Sequence, residues 1–368
     1  MQLTDLRLTE VIDSIVPVSD AAVDAAQVRL DAKTKPPGSL GRLEALATRL
    51  AAIAGHADPP VPRKAIVVMG ADHGVVAEGT SAYPQAVTAQ MLQNMAAGGA
   101  AINVLARQAD AELVLVDMGV HSELELHGVR QHRLGPGTRN FTDGPAMTQA
   151  QARQAISVGI DLASELVHSG TGMIGLGEMG IGNTTAASAI TSVLTGNPPT
   201  AVTGRGTGVD DAGLARKRDA IGRGLRRNTP DPQDPLDVLA KVGGFELAGL
   251  CGVVLGAARA RVPVVVDGFI TAAAALAAVR LAPCTLGYLF ASHRSVEVGH
   301  GHILAALDQV PLLDLDMRLG EGTGAVLAMN LLEAAARILA EMATFESAQV
   351  STQVGTQVGT QVGTEVST

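Results

Sequence analysis

The chain has 368 residues with a formal net charge of −9, 47% hydrophobic and 17% charged residues, and 42 glycines. That length suits one large α/β domain with a smaller appendage, or two domains, and the acidic balance excludes a nucleic-acid surface built on a basic footprint. With 2% aromatics and no Trp, the core has to be assembled from Ala, Val, Leu, Ile and Met. Asp5, Arg7 and Glu10 interrupt any apolar run at the start, so no signal peptide is expected. The longest apolar run, 268–279, stops at Arg280, short of the roughly 20 residues that a membrane span needs. A cytoplasmic protein with no membrane contact follows. Cys251 and Cys284 sit far apart in apolar contexts and read as reduced thiols.

Residues 1–57 read as helical. Segments 20–32 and 39–54 carry apolar residues at helical spacing, with Lys35-Pro-Pro-Gly-Ser-Leu-Gly41 as a rigid turn between them. From Lys64 the character changes. Segments 65–70, 113–119, 172–175 and 262–268 are short, nearly all-apolar runs ending in glycine or acid, the mark of parallel strands buried on both faces. Helical patterns over 85–107, 148–167, 183–194, 210–226 and 245–259 alternate with them. The alternation predicts a doubly wound, mostly parallel α/β sheet. A last helix spans about 322–342, and the Thr-Gln-Val-Gly repeat of 348–368 reads as a disordered tail.

Ligands of such sheets bind beyond the carboxyl ends of the strands. Those ends here are small or acidic: Gly70-Ala-Asp-His-Gly74, Asp117-Met-Gly119, Gly175-Leu-Gly-Glu178 and Asp267-Gly268. Glu178 and Glu321 each stand inside a glycine cluster, where backbone N–H groups can approach a ligand closely. The combination points to a phosphorylated sugar with carboxylates aimed at its reactive carbon or at a nucleophile.

Gly175-Leu-Gly-Glu-Met-Gly180 fits G-x-G-x-x-G, but no acid follows between Met179 and Val209 to hold a ribose, as a dinucleotide turn requires. A phosphate or ribose cradle at a helix start and a purely structural turn stay open beside it. Gly204-Arg-Gly-Thr-Gly-Val-Asp-Asp211 has the makings of an anion nest with Lys217 in reach, and a solvated basic helix face is the alternative. Val264-Val-Val-Asp-Gly268 is similar to the diphosphate-sugar signature of ordinary phosphoribosyltransferases. Asp267 stands alone, however, where that signature has two acids, which weakens a diphosphate donor and a Mg2+ requirement together. His300 and His302 diverge on a helix, and Ser292, His293 and Arg294 favour structural or anion-facing roles over a metal site. Glu321 reads as a desolvated general base or as an acid stabilising the start of its own helix.

Eight motifs, Lys35-Pro-Pro-Gly-Ser-Leu-Gly41, Gly70-Ala-Asp-His-Gly74, Gly180-Ile-Gly-Asn-Thr-Thr185, Gly204-Arg-Gly-Thr-Gly-Val-Asp-Asp211, Val242-Gly-Gly-Phe-Glu246, Val266-Asp-Gly268, Ser292-His293 and Leu319-Gly-Glu-Gly-Thr-Gly324, occur in that order. Together they resemble the nicotinate-nucleotide–dimethylbenzimidazole phosphoribosyltransferases, over about residues 5 to 343. The resemblance implies a Rossmann-like catalytic domain (58–319), a small helical domain from both chain ends (1–57 and 320–346), a tail outside the pattern (347–368), and a homodimer. It implies conversion of nicotinate mononucleotide and 5,6-dimethylbenzimidazole, or a related base, to α-ribazole 5′-phosphate and nicotinate, without cofactor or metal.

By the same resemblance Glu321 matches the proton acceptor and Glu178 a second catalytic carboxylate. Phosphate and ribose binding falls to Gly180, Gly182, Asn183, Thr184, Gly204, Gly206, Thr207, Gly208, Lys217, Asp267, Gly268 and Ser292. Ser81, Tyr83, Gln85 and Gln90 lie in the region lining the base pocket. The pyridinium leaves as a neutral ring and needs no acid, so one base suffices for direct in-line displacement with inversion. An NAD-dependent oxidoreductase and a non-catalytic nucleotide-binding module are the competing readings.

Overall fold

The apolar runs bounded by glycine or acid do form strands, and the strands line up in one sheet. The computed structural model describes residues 3–122 and 127–351. In it β1 (Lys64–Ala71), β2 (Ala111–Gly119), β3 (Val129–Gln131), β4 (Met173–Met179), β5 (Val264–Val266) and β6 (Leu289–Ala291) pair in the order β3-β2-β1-β4-β5-β6. Every pair is parallel, so the sheet is wholly rather than mostly parallel. The order reverses between β1 and β4, which opens a crevice beyond their carboxyl ends. β3 and β6, three residues each, are too short to show in an apolar pattern. β4 continues past Gly175 to Met179 and so carries Glu178 within the strand.

The helices are α1 (Leu3–Ser14), α2 (Asp20–Asp31), α3 (Arg42–Ala54), α4 (Val87–Ala96), α5 (Ala101–Gln108), α6 (Gln149–His168), α7 (Asn183–Thr195), α8 (Pro199–Val202), α9 (Asp211–Asn228), α10 (Pro235–Val242), α11 (Phe245–Arg259), α12 (Phe269–Leu281), α13 (Val298–Ala306) and α14 (Thr323–Glu341). α11 and α12 lie against the sheet, with α6 outside α11, and α14 and α5 lie against it with α3 outside α14. The two groups take opposite faces: Gly249 of α11 meets Met69, whereas Gly322 before α14 meets Ile66, and residues of unlike parity on a strand point opposite ways.

The single helix expected over 85–107 is two, α4 and α5. Gly98, at φ 83°, breaks it. α14, at 19 residues, is long and apolar enough to cross a membrane, longer than the run at 268–279. Here it is a core helix, with Val326, Met329, Leu332 and Ala336 buried. The turn at Lys35–Gly41 is braced from below: the buried Glu44 carboxylate holds Lys35 at 2.9 Å and accepts the N–H groups of Gly38 and Leu40. Thr344 bridges to Lys33, and a turn follows to Gln349. Residues 352–368, most of the repeat, lie outside the described residues.

A core with so few rings reaches crystal-like density by letting backbones touch. A Cβ on Gly252 of α11 would overlap the Ile156 carbonyl of α6, and one on Gly159 would overlap Gly249. Gly252→Ala is therefore expected to lower the unfolding free energy by about 1–3 kcal/mol, read as a fall in the urea midpoint. An unchanged midpoint would mean that α6 and α11 separate freely.

Candidate active site

The cavity lies where the reversed strand order predicts, beyond β1, β4 and β5. It has a volume of about 430 Å3 and is lined by the β4 end, the start of α7, the 206–207 loop, the start of α12, and residues 318–321 ahead of α14. Tyr83, Val87 and Met91 close one side, Met179 and Phe269 add apolar wall, and Tyr83, 50% exposed, stands at the mouth.

The loop carrying Glu321 is held in an unusual backbone state. Gly320, Glu321 and Gly322 all have positive φ, at 88°, 62° and 87°. For the non-glycine residue this costs roughly 1–2 kcal/mol, and neighbouring bonds must impose it. Asp267, at the end of β5, supplies them: its carboxylate accepts the N–H groups of Gly322 (3.1 Å), Gly324 (2.7 Å) and Ala325 (3.0 Å). Asp267 thus caps α14, as a helix start requires, and fixes the bend that precedes it. Its own carbonyl accepts the Ser292 hydroxyl at 2.8 Å.

Glu321 does not cap its own helix. Burial raises its pKa above the ordinary range; the N–H of Ile102, in the first turn of α5, donates to the carboxylate and pulls the other way, and the charge of Asp267 adds to the rise. The side chain is buried, and its Oε2 has no hydrogen-bond partner. Glu178 comes against the same loop, so close that a Cβ at 320 would overlap its Oε1. Asn183 donates to its Oε2. Burial first, then the charges of Asp267 and Glu246, push the Glu178 carboxyl up to about 8; burial pushes Asp267 up to about 7 despite its three N–H donors.

The glycines of the G-x-G-x-x-G stretch serve the protein itself. Gly175 makes room for Met329 and Ala325 of α14, Gly177 for the carbonyl of Glu321, and Gly180 for the carbonyl of Ala71. Gly182, at φ 97°, lies against Val76 and His73 and starts α7 without a side-chain cap. Behind it, His73 and Glu246 form a buried pair at 2.7 Å. Asp72 accepts the Thr88 hydroxyl (2.7 Å) and the His121 N–H (2.8 Å), and Thr88 accepts the N–H of Ile181 (3.0 Å), tying α4 to the loop after β4.

Of the three basic residues 216–218, Lys217 is the one fully buried, while Arg216 reaches the carbonyl of Gly79 and Arg218 those of Thr200 and Thr203. The Lys217 Nζ is 2.7 Å from the Thr184 hydroxyl and 3.4 Å from the Gly204 carbonyl, and burial lowers its pKa to about 8. Glu178, Glu321, Gly180, Asn183, Thr184, Gly206, Thr207, Gly268 and Tyr83 line the cavity. Lys217, Asp267, Gly182 and Ser292 stand behind its wall. Gly204 backs onto Glu297, and Gly208 faces open space. Ser81, Gln85 and Gln90 are not in the lining; Gln90 is exposed, and the Ser81 hydroxyl accepts the Tyr83 N–H at 3.2 Å. Glu297 and Arg318 line the cavity without having been singled out, although Arg318 directly precedes the Leu319-Gly-Glu cluster. His300 is buried, accepts the Ser295 N–H at 3.0 Å, and is held to about 3 by burial and by His293.

The raised carboxyls make stability pH-dependent in a definite direction. Unfolded, Glu178 and Asp267 titrate at about 4; folded, at about 8 and about 7. Across that window the folded chain binds more protons, so stability falls as pH rises. Up to about pH 6.5 the lowered pKa of His300 works the other way, so the Tm of the ligand-free protein should drop between about pH 6.5 and 8, and Glu178→Gln should flatten the drop. An equal slope in parent and variant, measured by calorimetry, would contradict this assignment.

A family model described as Phosphoribosyltransferase matches residues 15–350. The chain is 56% identical over 345 residues to the nicotinate-nucleotide–dimethylbenzimidazole phosphoribosyltransferase of Roseiflexus sp. (strain RS-1), covering 94% of this chain and 98% of that protein. It is 53% identical over 345 residues to the protein of the same name from Geobacter sulfurreducens, with the same coverage. The crystal structure of CobT from Thermus thermophilus superposes with a TM-score of 0.86 at 52% identity, over 90% of this chain and 99% of that one. The chain is a glycosyltransferase-type enzyme and belongs to the nicotinate-nucleotide–dimethylbenzimidazole phosphoribosyltransferase family.

Proposed function

We propose that the crevice binds nicotinate mononucleotide and 5,6-dimethylbenzimidazole and returns α-ribazole 5′-phosphate and nicotinate, with Glu321 taking the proton of the incoming base. The observation that carries this reading is the buried Glu321 carboxylate, which lines the cavity with one oxygen unpartnered. A carboxylate whose pKa burial has raised is a stronger base than one in water. One ring nitrogen of the acceptor attacks C1′ while the other passes its proton to Glu321. Opposite the attack the C1′–N bond of the pyridinium breaks, its electron pair stays with nicotinate, and the ring leaves without needing a proton. Positive charge gathers at C1′, and ionised Glu178 stabilises it electrostatically. Attack in line with departure inverts C1′ from β to α.

The 5′-phosphate is assigned to the glycine loops and the start of α7, where N–H groups and the helix dipole favour an anion. Lys217, held by the Thr184 hydroxyl, adds its charge from behind. The apolar wall of Val87, Met91 and Met179 suits a planar methylated base, with thioethers able to adapt to it. The reading carries with it a homodimer and a small helical domain built from both chain ends.

Incubation with nicotinate mononucleotide and a panel of bases should release nicotinate only when a competent base is present. Glu321→Gln should keep the fold, seen by circular dichroism, and lower kcat about 10²–10⁴-fold. Normal turnover would remove Glu321 from the base role. Lys217→Ala should mainly raise the KM of the donor, and an unchanged KM would take Lys217 out of the phosphate site.

A further inference from the structure

Carboxylates dominate the cavity, and the one permanent cation in its described lining has no part in the reaction outlined above. Three carboxylates, Glu178, Glu297 and Glu321, line it, and Asp267 lies immediately behind. Among the described lining residues one side chain is permanently cationic, Arg318. Its guanidinium makes no hydrogen bond or ion pair with any described residue. Of the cations flanking that lining, Lys217 is buried behind the glycine loops with its Nζ on Thr184 and Gly204, Arg205 is paired with Asp211 and Arg294 with Asp314, and burial keeps His293 toward its neutral form.

The donor of the proposed reaction has two anionic groups at opposite ends, the 5′-phosphate and the carboxylate of the pyridine ring. The phosphate has the glycine loops and Lys217. The ring carboxylate, entering a cavity lined by carboxylates, would be repelled unless a cation met it. Arg318 stands three residues before Glu321, on a different segment from the glycine loops assigned to the phosphate, and is an exposed member of the lining. Its planar fork matches a carboxylate bidentately, and it stays charged at any working pH. We infer that Arg318 binds the carboxylate of the leaving nicotinate ring and thereby makes the enzyme select the acid donor over its carboxamide analogue.

The inference rests on the proposed phosphoribosyl transfer and adds a chemical discrimination to it. An amide in place of the carboxylate is neutral and has one acceptor oxygen beside an N–H donor, so it cannot take both prongs of the guanidinium fork and loses the charge attraction. As the C1′–N bond breaks, the ring loses its positive charge and becomes a net anion. Arg318 would then hold it among the carboxylates until it leaves by the mouth.

The test compares nicotinate mononucleotide with nicotinamide mononucleotide as donors, and nicotinate with nicotinamide as product inhibitors, in the parent enzyme, Arg318→Gln and Arg318→Lys. The parent should prefer the acid donor. In Arg318→Gln the acid-to-amide ratio of kcat/KM should fall about 10- to 100-fold, the loss of one charge-assisted pair. The change should sit in the donor KM, leave the acceptor KM in place, and weaken inhibition by nicotinate but not by nicotinamide. Arg318→Lys should recover part of the ratio. A ratio in Arg318→Gln within twofold of the parent overturns the inference even if both donors slow, because a merely structural role would slow both alike. A parent that turns over the acid donor with no preference for it overturns the inference and leaves the phosphoribosyl transfer standing. A parent that releases no nicotinate with any base overturns both.

Discussion

Four carboxylates, Glu178, Glu246, Asp267 and Glu321, crowd the carboxyl ends of a parallel sheet with little water around them. That crowding is the constraint on which the rest depends. Burial in a poorly polarisable site raises the proton affinity of Glu178, Asp267 and Glu321, and at Glu178 and Glu321 the charge of neighbouring carboxylates adds to it. Glu178 and Asp267 therefore hold protons at a pH at which such groups in water have released them. A ligand with positive charge at the right place changes the balance, because it is the cation that makes ionised carboxylates favourable. In the proposed reaction the pyridinium of the donor brings that charge and C1′ concentrates it during transfer, so the site matches the charge that develops.

The scaffold holds this arrangement with few parts. Asp267 gives up its lone pairs to three backbone N–H groups and thereby keeps a loop of three left-handed residues in place. Gly175 and Gly177 let that loop and α14 lie directly on β4. Asn183 orients Glu178. Glu246 is steadied by His73 behind the glycine turn. Removing a glycine from β4 would push the loop away, whereas removing Asp267 would leave three buried donors unpaired, which costs more than the bonds themselves contribute. Rigidity in this cleft therefore comes from backbone contact and not from bulky side chains, in keeping with a chain of so few rings.

The fold was largely legible because a parallel sheet buried on both faces leaves continuous apolar runs: β1 and β2 stand out, and the helices 149–168, 183–195 and 245–259 follow their periodicity. β3 and β6 were not legible, being three residues long and defined by pairing across the sheet. The join of α4 and α5 was hidden because the flanking residues keep helical spacing through Gly98 and Gly99. Glu178 and Glu321 were readable as acids isolated in glycine. Their neighbours were less so. A motif states which residues are present, not which way they face. Gly182, Ser292 and Asp267 turned out to stand behind the wall. Glu297 and Arg318 face the cavity by virtue of loop geometry that no periodicity encodes.

The most direct test is the number of protons exchanged when nicotinate mononucleotide binds at pH 7, measured by titration calorimetry in buffers of different ionisation enthalpy. If the pyridinium of the donor drives the stored protons off the carboxylates, binding releases a net fraction of a proton or more, and Glu178→Gln reduces that release. Binding with no net release, or with the same release in parent and variant, would contradict the account.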